Sequence, residues 1–188
     1  MRVTPQAFPE VLLIEPKVYG DRRGHFLEIF QARRYQDFGI PAHFVQDNVS
    51  FSLHGVVRAL HYQRRFPQGK LVVPLTGEIW DVVVDIRRGS PTFGKHLSVT
   101  LTADPCRQLY VPPGFAHGFA VVTEAATVLY KCTDFYHPED ECGITWNDPD
   151  LAIPWPVADA LLSDKDQKLP RLRDLPPEQL PVYGGDGK

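Results

Sequence analysis

At 188 residues, the chain is long enough to fold as one domain with a substantial hydrophobic core. Its content of 43% hydrophobic and 23% charged residues, with a formal net charge of −3, is that of an ordinary globular domain. This balance excludes a general nucleic-acid-binding protein and a polybasic membrane-binding surface, but it is compatible with a local arginine pocket for an anion.

Targeting signals and cysteines indicate the compartment. The N-terminal residues Met1–Phe8 lack the apolar run of a signal peptide, and no later apolar run is long enough to cross a bilayer. The three cysteines, Cys106, Cys132 and Cys142, are an odd number and form no C-x-x-C pair. We therefore expect a cytoplasmic protein with reduced thiols that contacts neither membranes nor nucleic-acid polymers.

Short apolar runs typical of β-strands fill most of the first 150 residues. Turn segments rich in glycine, proline and aspartate separate them, such as Tyr19–Gly24 and Arg88–Gly94. Many closely spaced strands with little helical periodicity predict an all-β protein, either an antiparallel sandwich or a jelly-roll barrel. The predicted strands are residues 11–16, 25–30, 55–63, 70–77, 78–87, 95–102, 107–112, 117–122 and 127–136.

Helical signals are few. The stretch Gln31–Gly39 indicates a short helix with Gly39 as its C-cap, and Ala158–Gln167 indicates one or two further turns. From Leu169 onward the chain is rich in proline and ends in a glycine-rich stretch. We predict a single all-β domain over residues 1–172 and a mobile C-terminal tail over residues 173–188.

The strand Val56–Gln63 carries Arg58 and His61 among apolar residues, and both are costly to bury without a partner. Such a strand is either an exposed edge or the wall of a polar pocket. Strand alternation puts His61 and Gln63 on one face, beside the small Ala59, and puts Arg58 on the other face. Arg58 and His61 can therefore face one pocket only if a bulge or bend lies between them.

A second histidine, His117, follows a Pro-Pro-Gly turn at the start of another predicted strand. His61, Gln63 and His117 could in principle hold a transition metal. However, no carboxylate lies at the usual spacing of such a site, and Gln63 stands where a second histidine is expected. The residues therefore favour a site without a metal.

Without a metal, the imidazole of His61 needs a partner that fixes which ring nitrogen carries the proton. The stretch Leu162–Asp166 offers two carboxylates, Asp164 and Asp166, which could reach His61 if the chain end folds over a barrel mouth. The alternative for this stretch is a solvated, charged turn.

Lys70 and two tyrosines complete a candidate set for proton transfer. Lys70 opens a predicted strand and could stabilise negative charge that develops on an oxygen. Tyr130 or Tyr136 could return a proton across the pocket from the base, although packing in the core is common for tyrosines on strands. Base, cation and phenol together suit removal of a proton next to a carbonyl and its return to the other face.

Two arginines suit an anionic ligand. Arg23 and Arg58 could bind a diphosphate through bidentate hydrogen bonds. Phe26 and Glu28 follow Arg23 closely, so an aromatic ring and a carboxylate near this arginine could stack on and hydrogen-bond a nucleobase. The alternative for Arg23 is a solvent-facing turn.

Taken together, these residues resemble the dTDP-4-dehydrorhamnose 3,5-epimerase family, the RmlC-like cupins. The similarity runs from about Val3 to about Arg171, and the motifs follow one another in the family's order and near its spacing. The matching stretches are Leu13–Phe30, Phe44–Ser52, Val57–Gln63, Gln68–Val72, Gly77–Gly94, Gln108–Phe119, Leu129–Tyr136, Ile144–Pro156 and Leu162–Asp166.

The resemblance implies a role for each candidate residue. His61 matches the general base and Asp166 its carboxylate partner. Lys70 matches the lysine near the C4 oxygen, and Tyr130 matches the acid on the opposite face. The matches to the family's binding residues are Arg23 and Arg58 for the diphosphate, Gln46, Asn48 and His117 for the sugar, and Phe26, Glu28 and Tyr136 for the nucleotide base.

The resemblance also implies a cupin-type jelly-roll barrel of antiparallel strands with a few short helices, which works without a metal or cofactor. It implies a homodimer with strands exchanged between subunits and a dTDP-sugar as substrate. The expected reaction is epimerisation of dTDP-4-dehydro-6-deoxy-D-glucose at C3 and C5 to dTDP-4-dehydro-L-rhamnose. One departure is Ala59, which stands where the family commonly has glycine.

Three other functions fit parts of the pattern. Relatives that epimerise only C3 or only C5 share the same framework, so a single-site epimerase of a related nucleotide 4-keto-deoxysugar is the nearest alternative. A metal-dependent cupin oxygenase would bind iron or another transition metal. A non-catalytic sugar-nucleotide-binding protein would bind its ligand without solvent exchange, and it would not need a base and an acid on opposing walls.

Overall fold

Two antiparallel sheets enclose a common core in the computed structural model, which describes residues 1–184. Within these residues the strands are β1 (Arg2–Pro5), β2 (Leu12–Glu15), β3 (Val18–Asp21), β4 (Gly24–Leu27), β5 (Gln46–Leu53), β6 (Val57–Gln63), β7 (Lys70–Thr76), β8 (Glu78–Asp85), β9 (His96–Thr102), β10 (Gln108–Val111), β11 (Phe115–Val121), β12 (Ala125–Cys132) and β13 (Glu141–Gly143). The predicted all-β barrel with few helices is confirmed.

Strand order shows that the barrel is built from long-range pairs. The six-stranded sheet has the order β1-β2-β10-β7-β12-β5, and the five-stranded sheet has the order β13-β6-β11-β8-β9. Most neighbours are distant in the chain, as expected for a jelly roll rather than a simple meander. The hairpin of β3 and β4 forms a separate two-stranded sheet.

Helices are short and lie outside the barrel wall. The helix α1 (Ala32–Gln36) is shorter than predicted, and the Gln31 side chain caps its start by accepting the backbone N–H of Arg34 at 2.7 Å. Its buried Tyr35 packs with apolar residues of the six-stranded sheet. None of the helices within the described residues is long and apolar enough to span a membrane.

Side-chain alternation divides the barrel interior into an apolar part and a polar part. Along β12, Ala126 and Val128 belong to the central hydrophobic cluster, whereas Tyr130 and Cys132, on the same face, line a cavity. Phe119 of β11 packs in that cluster from the other sheet and also borders the cavity. The inward faces of β12 and β11 therefore contribute side chains to both the hydrophobic core and the cavity.

An irregularity between β6 and β11 brings Arg58 and His61 toward one cavity. His117 pairs with His61 and Phe119 pairs with Arg58, so two residues of β6 lie opposite a single residue, Gly118, of β11. This register shift is the bulge that the sequence required, because simple alternation would separate Arg58 from His61. Both side chains line the same cavity.

The strand β5 escaped prediction because its polarity is inverted. Val49, Phe51 and Leu53 are each more than half exposed, while the residues between them face the barrel. The turn predicted at Tyr19–Gly24 is the tip of the β3–β4 hairpin, and the strand predicted over residues 25–30 ends at Leu27. The apolar pattern thus indicated the exposed face of β5, and it placed the end of β4 too late in the chain.

The C-terminal segment packs on the outer face of the five-stranded sheet. Leu172, Leu175 and Leu180 are buried there in a second hydrophobic cluster, and burial of a leucine side chain contributes about 1.5 to 3 kcal/mol relative to exposure. Arg88 N–H donates to the carbonyl of Pro181 at 2.8 Å. The boundary after residue 172 and the mobility of the tail stay predictions, and residues 185–188 lie outside the described part of the chain.

Gly118 offers a stability test of the bulge. A Cβ atom at this position would lie 2.6 Å from the Ala59 Cβ and 2.7 Å from the Arg58 carbonyl oxygen. We predict that Gly118→Ala lowers the free energy of unfolding by about 1 to 3 kcal/mol, because β6 and β11 must move apart. Urea unfolding at fixed protein concentration measures this. The control is Gly20→Ala, whose Cβ would meet its nearest atom at 3.8 Å; equal stability of both variants would contradict the packing argument.

Candidate active site

A cavity of about 630 Å³ opens between the two sheets. It is the size of a pocket that encloses a substantial small molecule. The six-stranded sheet supplies one wall from β5, β7 and β12, and the five-stranded sheet supplies the other from β6, β11 and β13. A segment after the last strand, Leu161–Asp166, completes the rim.

His61 and Asp166 form a pair in which the imidazole is partly buried and the carboxylate almost fully buried. The Nε2–H of His61 donates to Oδ1 of Asp166 at 2.7 Å. Asp166 lies on the segment beyond the barrel, which is fixed by a backbone bridge between Val56 and Leu161. The open choice between the two candidate carboxylates is thereby settled, since Asp164 is exposed and Asp166 contacts the ring.

Tyr130 and Lys70 face the cavity from the sheet opposite His61. Burial raises the pKa of the Tyr130 phenol above its ordinary value, and the charge of Arg58 partly opposes this rise. Burial lowers the pKa of the Lys70 ammonium group. The phenol therefore keeps its proton at neutral pH, and the amino group of Lys70 lies at the cavity wall.

Polar side chains of β5 line the wall beside Tyr130. The amide of Gln46 donates to Asn48 at 2.9 Å and accepts the backbone N–H of Tyr136 at 2.8 Å. Across the cavity, the Nε–H of Arg58 donates to the Ser52 hydroxyl at 3.0 Å. Five of the predicted binding residues line this one cavity: Gln46, Asn48, Arg58, His117 and Tyr136.

Two residues at the cavity rim were missed by the sequence reasoning. Glu141 accepts the Tyr136 hydroxyl at 2.5 Å and pairs with Lys165. Burial alone would raise the pKa of Glu141, but Lys165 and Tyr136 reverse this and hold it below its ordinary value. The hydrogen bond between Tyr136 and Glu141 raises the pKa of the Tyr136 phenol to about 12. Lys165 lies in the stretch Leu162–Asp166, of which only the two aspartates were considered, and Glu141 lies outside every stretch that was singled out.

Asp81 was also missed, although the sequence carried a signal. It is fully buried on β8, and both of its oxygens lie about 3 Å from Nε2 of His117, at 2.9 and 3.0 Å. A single carboxylate inside the apolar run Ile79–Val84 is as unusual as the arginine and histidine of β6. Asp81 thus marks a polar position inside the barrel, as Arg58 and His61 do on β6.

Three predicted binding residues lie away from this cavity. Arg23 is at the hairpin tip and bonds to Asp21, with its Nη2 at 2.5 Å from the carboxylate. Phe26 is 70% exposed, and Glu28 accepts a hydrogen bond from Arg34 at 2.8 Å. Within one chain, the structure therefore does not bring these three residues to His61.

Gln63, which was considered with His61 and His117 as a possible metal ligand, instead makes hydrogen bonds to backbone groups. Its amide donates to the carbonyls of Phe66 at 2.6 Å and Phe135 at 3.0 Å, and its oxygen accepts the His137 backbone N–H at 2.7 Å. Among residues 1–184, no group of three His, Cys, Asp or Glu side chains is arranged to hold a metal ion. Gln63 thus holds the turns at the cavity rim.

The fold and the site together define a cupin-type barrel whose interior is equipped for acid–base chemistry. The family model described as dTDP-4-dehydrorhamnose 3,5-epimerase matches residues 5–174. The chain belongs to this family, and it is an epimerase.

Relatives agree over nearly the whole chain. The dTDP-4-dehydrorhamnose 3,5-epimerase of Pseudomonas aeruginosa is 54% identical over 170 residues, which cover 89% of this chain and 94% of the relative. The RmlC epimerase of Legionella pneumophila, solved in complex with dTDP-4-keto-L-rhamnose, superposes with a TM-score of 0.95 at 50% identity, covering 98% and 99% of the two chains. ChmJ of Streptomyces bikiniensis, a 3′-monoepimerase solved with dTDP-quinovose, gives a TM-score of 0.89 at 36% identity, covering 95% and 92%.

The His61–Asp166 pair yields the first activity prediction. We expect Asp166→Asn to lower kcat at least about 100-fold, because the amide cannot balance a positive charge on the imidazole or enforce its tautomer. Steady-state kinetics of epimerase turnover measure this. The matched control is Asp164→Asn, two residues away and exposed, which should stay within about twofold of wild type. Equal losses in both variants would remove Asp166 from its assigned role.

Proposed function

We propose that this epimerase converts dTDP-4-dehydro-6-deoxy-D-glucose into dTDP-4-dehydro-L-rhamnose by inverting C3 and C5. The observation that carries the proposal is the placement of His61, held by Asp166, and Tyr130 on opposite sheets around one cavity. The activity for which the Pseudomonas relative is named, and the keto-sugar nucleotide in the Legionella structure, support the same substrate.

The chemistry requires only proton transfer. The 4-keto group acidifies the hydrogens on both neighbouring carbons, so a base can remove either of them and leave an enolate. An acid on the other face of the ring then returns a proton with inverted configuration. Because one proton leaves and one is added, the oxidation state of the sugar is unchanged. One base and one acid can treat both carbons if the sugar shifts between the two steps.

His61 is the base in this proposal. Its Nε2–H is committed to the Asp166 carboxylate, so Nδ1 is the nitrogen left to take a proton from the sugar. When Nδ1 becomes protonated, the imidazolium carries a positive charge that Asp166 balances at 2.7 Å. Asp166 is therefore a partner of the base and needs no proton of its own.

Lys70 and Tyr130 complete the reaction from the other wall. The Lys70 ammonium group would stabilise the negative charge that builds on the C4 oxygen, and its buried position strengthens that interaction. Tyr130 would supply the returning proton, and its raised pKa keeps the phenol protonated at neutral pH. The base and the acid thus address opposite faces of one ring.

The remaining cavity residues suit the rest of a nucleotide sugar. Arg58 presents a guanidinium group toward the cavity for the diphosphate, with Ser52 holding its Nε. Gln46, Asn48 and His117 supply amide and imidazole groups along the sugar region. Tyr136, at the rim, offers an aromatic ring for the base.

We also propose a homodimer in which hairpins or strands are exchanged so that the partner completes each site. On β5, the side chains of Val49, Phe51 and Leu53 are 57–64% exposed. This strand is an open edge of the six-stranded sheet, and an apolar edge strand readily pairs with another chain. Arg23 and Phe26 are exposed on the β3–β4 hairpin, away from their own cavity. In a dimer, this hairpin would supply them, with Glu28, to the partner's nucleotide end.

A cytoplasmic location is proposed on the state of the cysteines. Cys106, Cys132 and Cys142 are all free thiols, and the first two are buried. Unpaired thiols suit a reducing compartment.

A single-site epimerase is the second candidate. The observation that favours it is the similarity to ChmJ, a 3′-monoepimerase, at a TM-score of 0.89. The same base, acid and lysine would serve one carbon as readily as two. Deuterium uptake at only one of the two carbons would select this candidate.

Proton NMR of the 4-keto substrate in deuterated buffer tests the proposed reaction. We expect deuterium at both C3 and C5 with wild type, no uptake with His61→Ala, and at least about a 100-fold loss of rhamnose-configured product with Tyr130→Phe. A coupled 4-ketoreductase reports that product. Tyr183→Phe is the control, since this exposed phenol lies against Arg87. The absence of label at both carbons with wild type would reject the proposal.

A mixing experiment tests the exchanged dimer. We expect Arg23→Ala to raise KM about tenfold or more through loss of a charged hydrogen bond to the diphosphate. When this variant is unfolded and refolded with inactive His61→Ala, hybrid dimers should regain one intact site, giving about a quarter of wild-type activity at low substrate. No recovery in the mixture, or a monomer by light scattering, would contradict the exchange.

A further inference from the structure

A short segment after β12 carries Tyr136 at the cavity rim, and two glutamine side chains from different sheets hold it. Gln63, at the end of β6, donates from Nε2 to the carbonyl of Phe135 at 3.0 Å, and its Oε1 accepts the backbone N–H of His137 at 2.7 Å. Gln46, on β5, accepts the backbone N–H of Tyr136 at 2.8 Å. The amide of Gln63 therefore bonds to the residue before Tyr136 and to the residue after it.

The hydrogen-bond donors of the Gln63 side chain are both used by backbone groups. Nε2 also donates to the carbonyl of Phe66 at 2.6 Å, and an amide nitrogen has only two hydrogens to donate. Two carbonyl oxygens face the nitrogen and one N–H faces the oxygen, so a flipped amide would lose all three bonds. Gln63 lines the cavity, but it acts on a ligand through the segment that it holds.

The loop that contains Phe66 supports the same segment. The Phe66 ring stacks on the imidazole of His137, with 4.1 Å between the ring centroids. The buried Asp140 accepts the backbone N–H groups of Arg65 and Phe66 at 2.7 and 3.0 Å, which fixes the loop. Because Gln63 bonds to Phe66 as well as to the segment of Tyr136, one buried amide connects both loops at the rim.

The side chain of Tyr136 is fixed and yet accessible. Its hydroxyl donates to Glu141 at 2.5 Å, and its backbone is held by Gln46 and Gln63. The residue is nevertheless 47% exposed. An aromatic ring held in this way offers an open face at little further cost in conformational entropy, which suits stacking on a planar ligand.

We propose that Gln63 is a positioning residue for the nucleotide end of the substrate. By bonding to the peptide groups on both sides of Tyr136, it preorganises the aromatic ring that contacts the nucleobase. The inference rests on the proposed function, which gives Tyr136 this contact with the base. Gln63 then serves binding rather than proton transfer, although it lies only two positions from His61 along β6.

Gln63→Leu removes the three hydrogen bonds with a side chain of similar size. Isothermal titration with dTDP reports on the nucleotide end alone, because this probe lacks the sugar that reacts. We expect the Kd for dTDP to rise about fivefold or more, since the released segment must be ordered on binding. KM for the sugar nucleotide should rise by a similar factor, while kcat stays within about threefold of wild type.

A double-mutant cycle shows whether Gln63 acts through Tyr136. In a Tyr136→Ala background, we expect Gln63→Leu to change the Kd for dTDP by less than about twofold, because no ring is left to position. A merely structural role for Gln63 would instead weaken binding by the same factor in both backgrounds.

The matched control is Gln108→Leu, which removes another buried amide that connects two segments. Gln108 donates to the carbonyl of Ile29 at 3.0 Å and accepts the Tyr35 hydroxyl at 2.9 Å. It lies on β10 against α1, outside the set of described residues that line the cavity. This control should lower Tm, as Gln63→Leu should, but leave the Kd for dTDP within about twofold of wild type.

Two results would overturn the inference. One is a Kd for dTDP in Gln63→Leu within about twofold of wild type, and the other is equal weakening with and without the Tyr136 ring. Should Gln63→Leu not fold, Gln63→Glu keeps an oxygen for the His137 N–H and removes the donor to Phe135, and the same cycle judges it.

Failure of the proposed function gives a different result. If wild type binds dTDP but takes up no deuterium at C3 or C5, the proposed reaction fails and the role of Gln63 in nucleotide binding is still decided by the cycle. If wild type binds no dTDP, the nucleotide assignment has failed, and the inference falls with it.

Discussion

One hydrogen bond, from His61 Nε2 to Asp166 at 2.7 Å, connects the barrel to the chain that follows it. It joins β6, an inner strand of the five-stranded sheet, to a segment that has little regular structure of its own. That segment is held by backbone pairing at Leu161 and by the ion pair of Lys165 with Glu141. The orientation of the base, and with it the proposed chemistry, depends on this closure of the barrel mouth.

The barrel accommodates reactive groups because its interior has an apolar part, which forms the core, and a polar part, which lines the cavity. The alternation that buries Val128 also directs Tyr130 inward, so strand geometry aims the acid without an additional device. On the facing sheet, the bulge opposite Gly118 lets Arg58 and His61 share a cavity. The buried carboxyl groups of Asp81 and Asp166 each pair with a histidine, at 2.9 and 2.7 Å, since a buried carboxylate without a partner would be unfavourable for folding.

Much of this could be predicted from the sequence, and the failures share a physical origin. The strands with apolar inner faces were recognisable, and the polar residues of β6 indicated a pocket wall. Strand β5 was missed because Val49, Phe51 and Leu53 point outward, so its apolar residues do not mark the face that lines the barrel. Asp81 was missed although a carboxylate inside an apolar run was itself a signal, and Glu141 was missed because its importance lies in contacts such as that with Lys165, which is distant in the chain. Periodicity carries no information on such contacts.

In the proposed mechanism, an imidazole and a phenol face the two sides of one sugar ring. A crystal structure with a bound, unreactive dTDP-sugar tests this arrangement. We expect His61 Nδ1 within about 3.5 Å of C3 or C5 on one face, and the Tyr130 oxygen at a similar distance from the same carbon on the other face. A sugar bound with both groups on the same face, or outside the cavity, would contradict it.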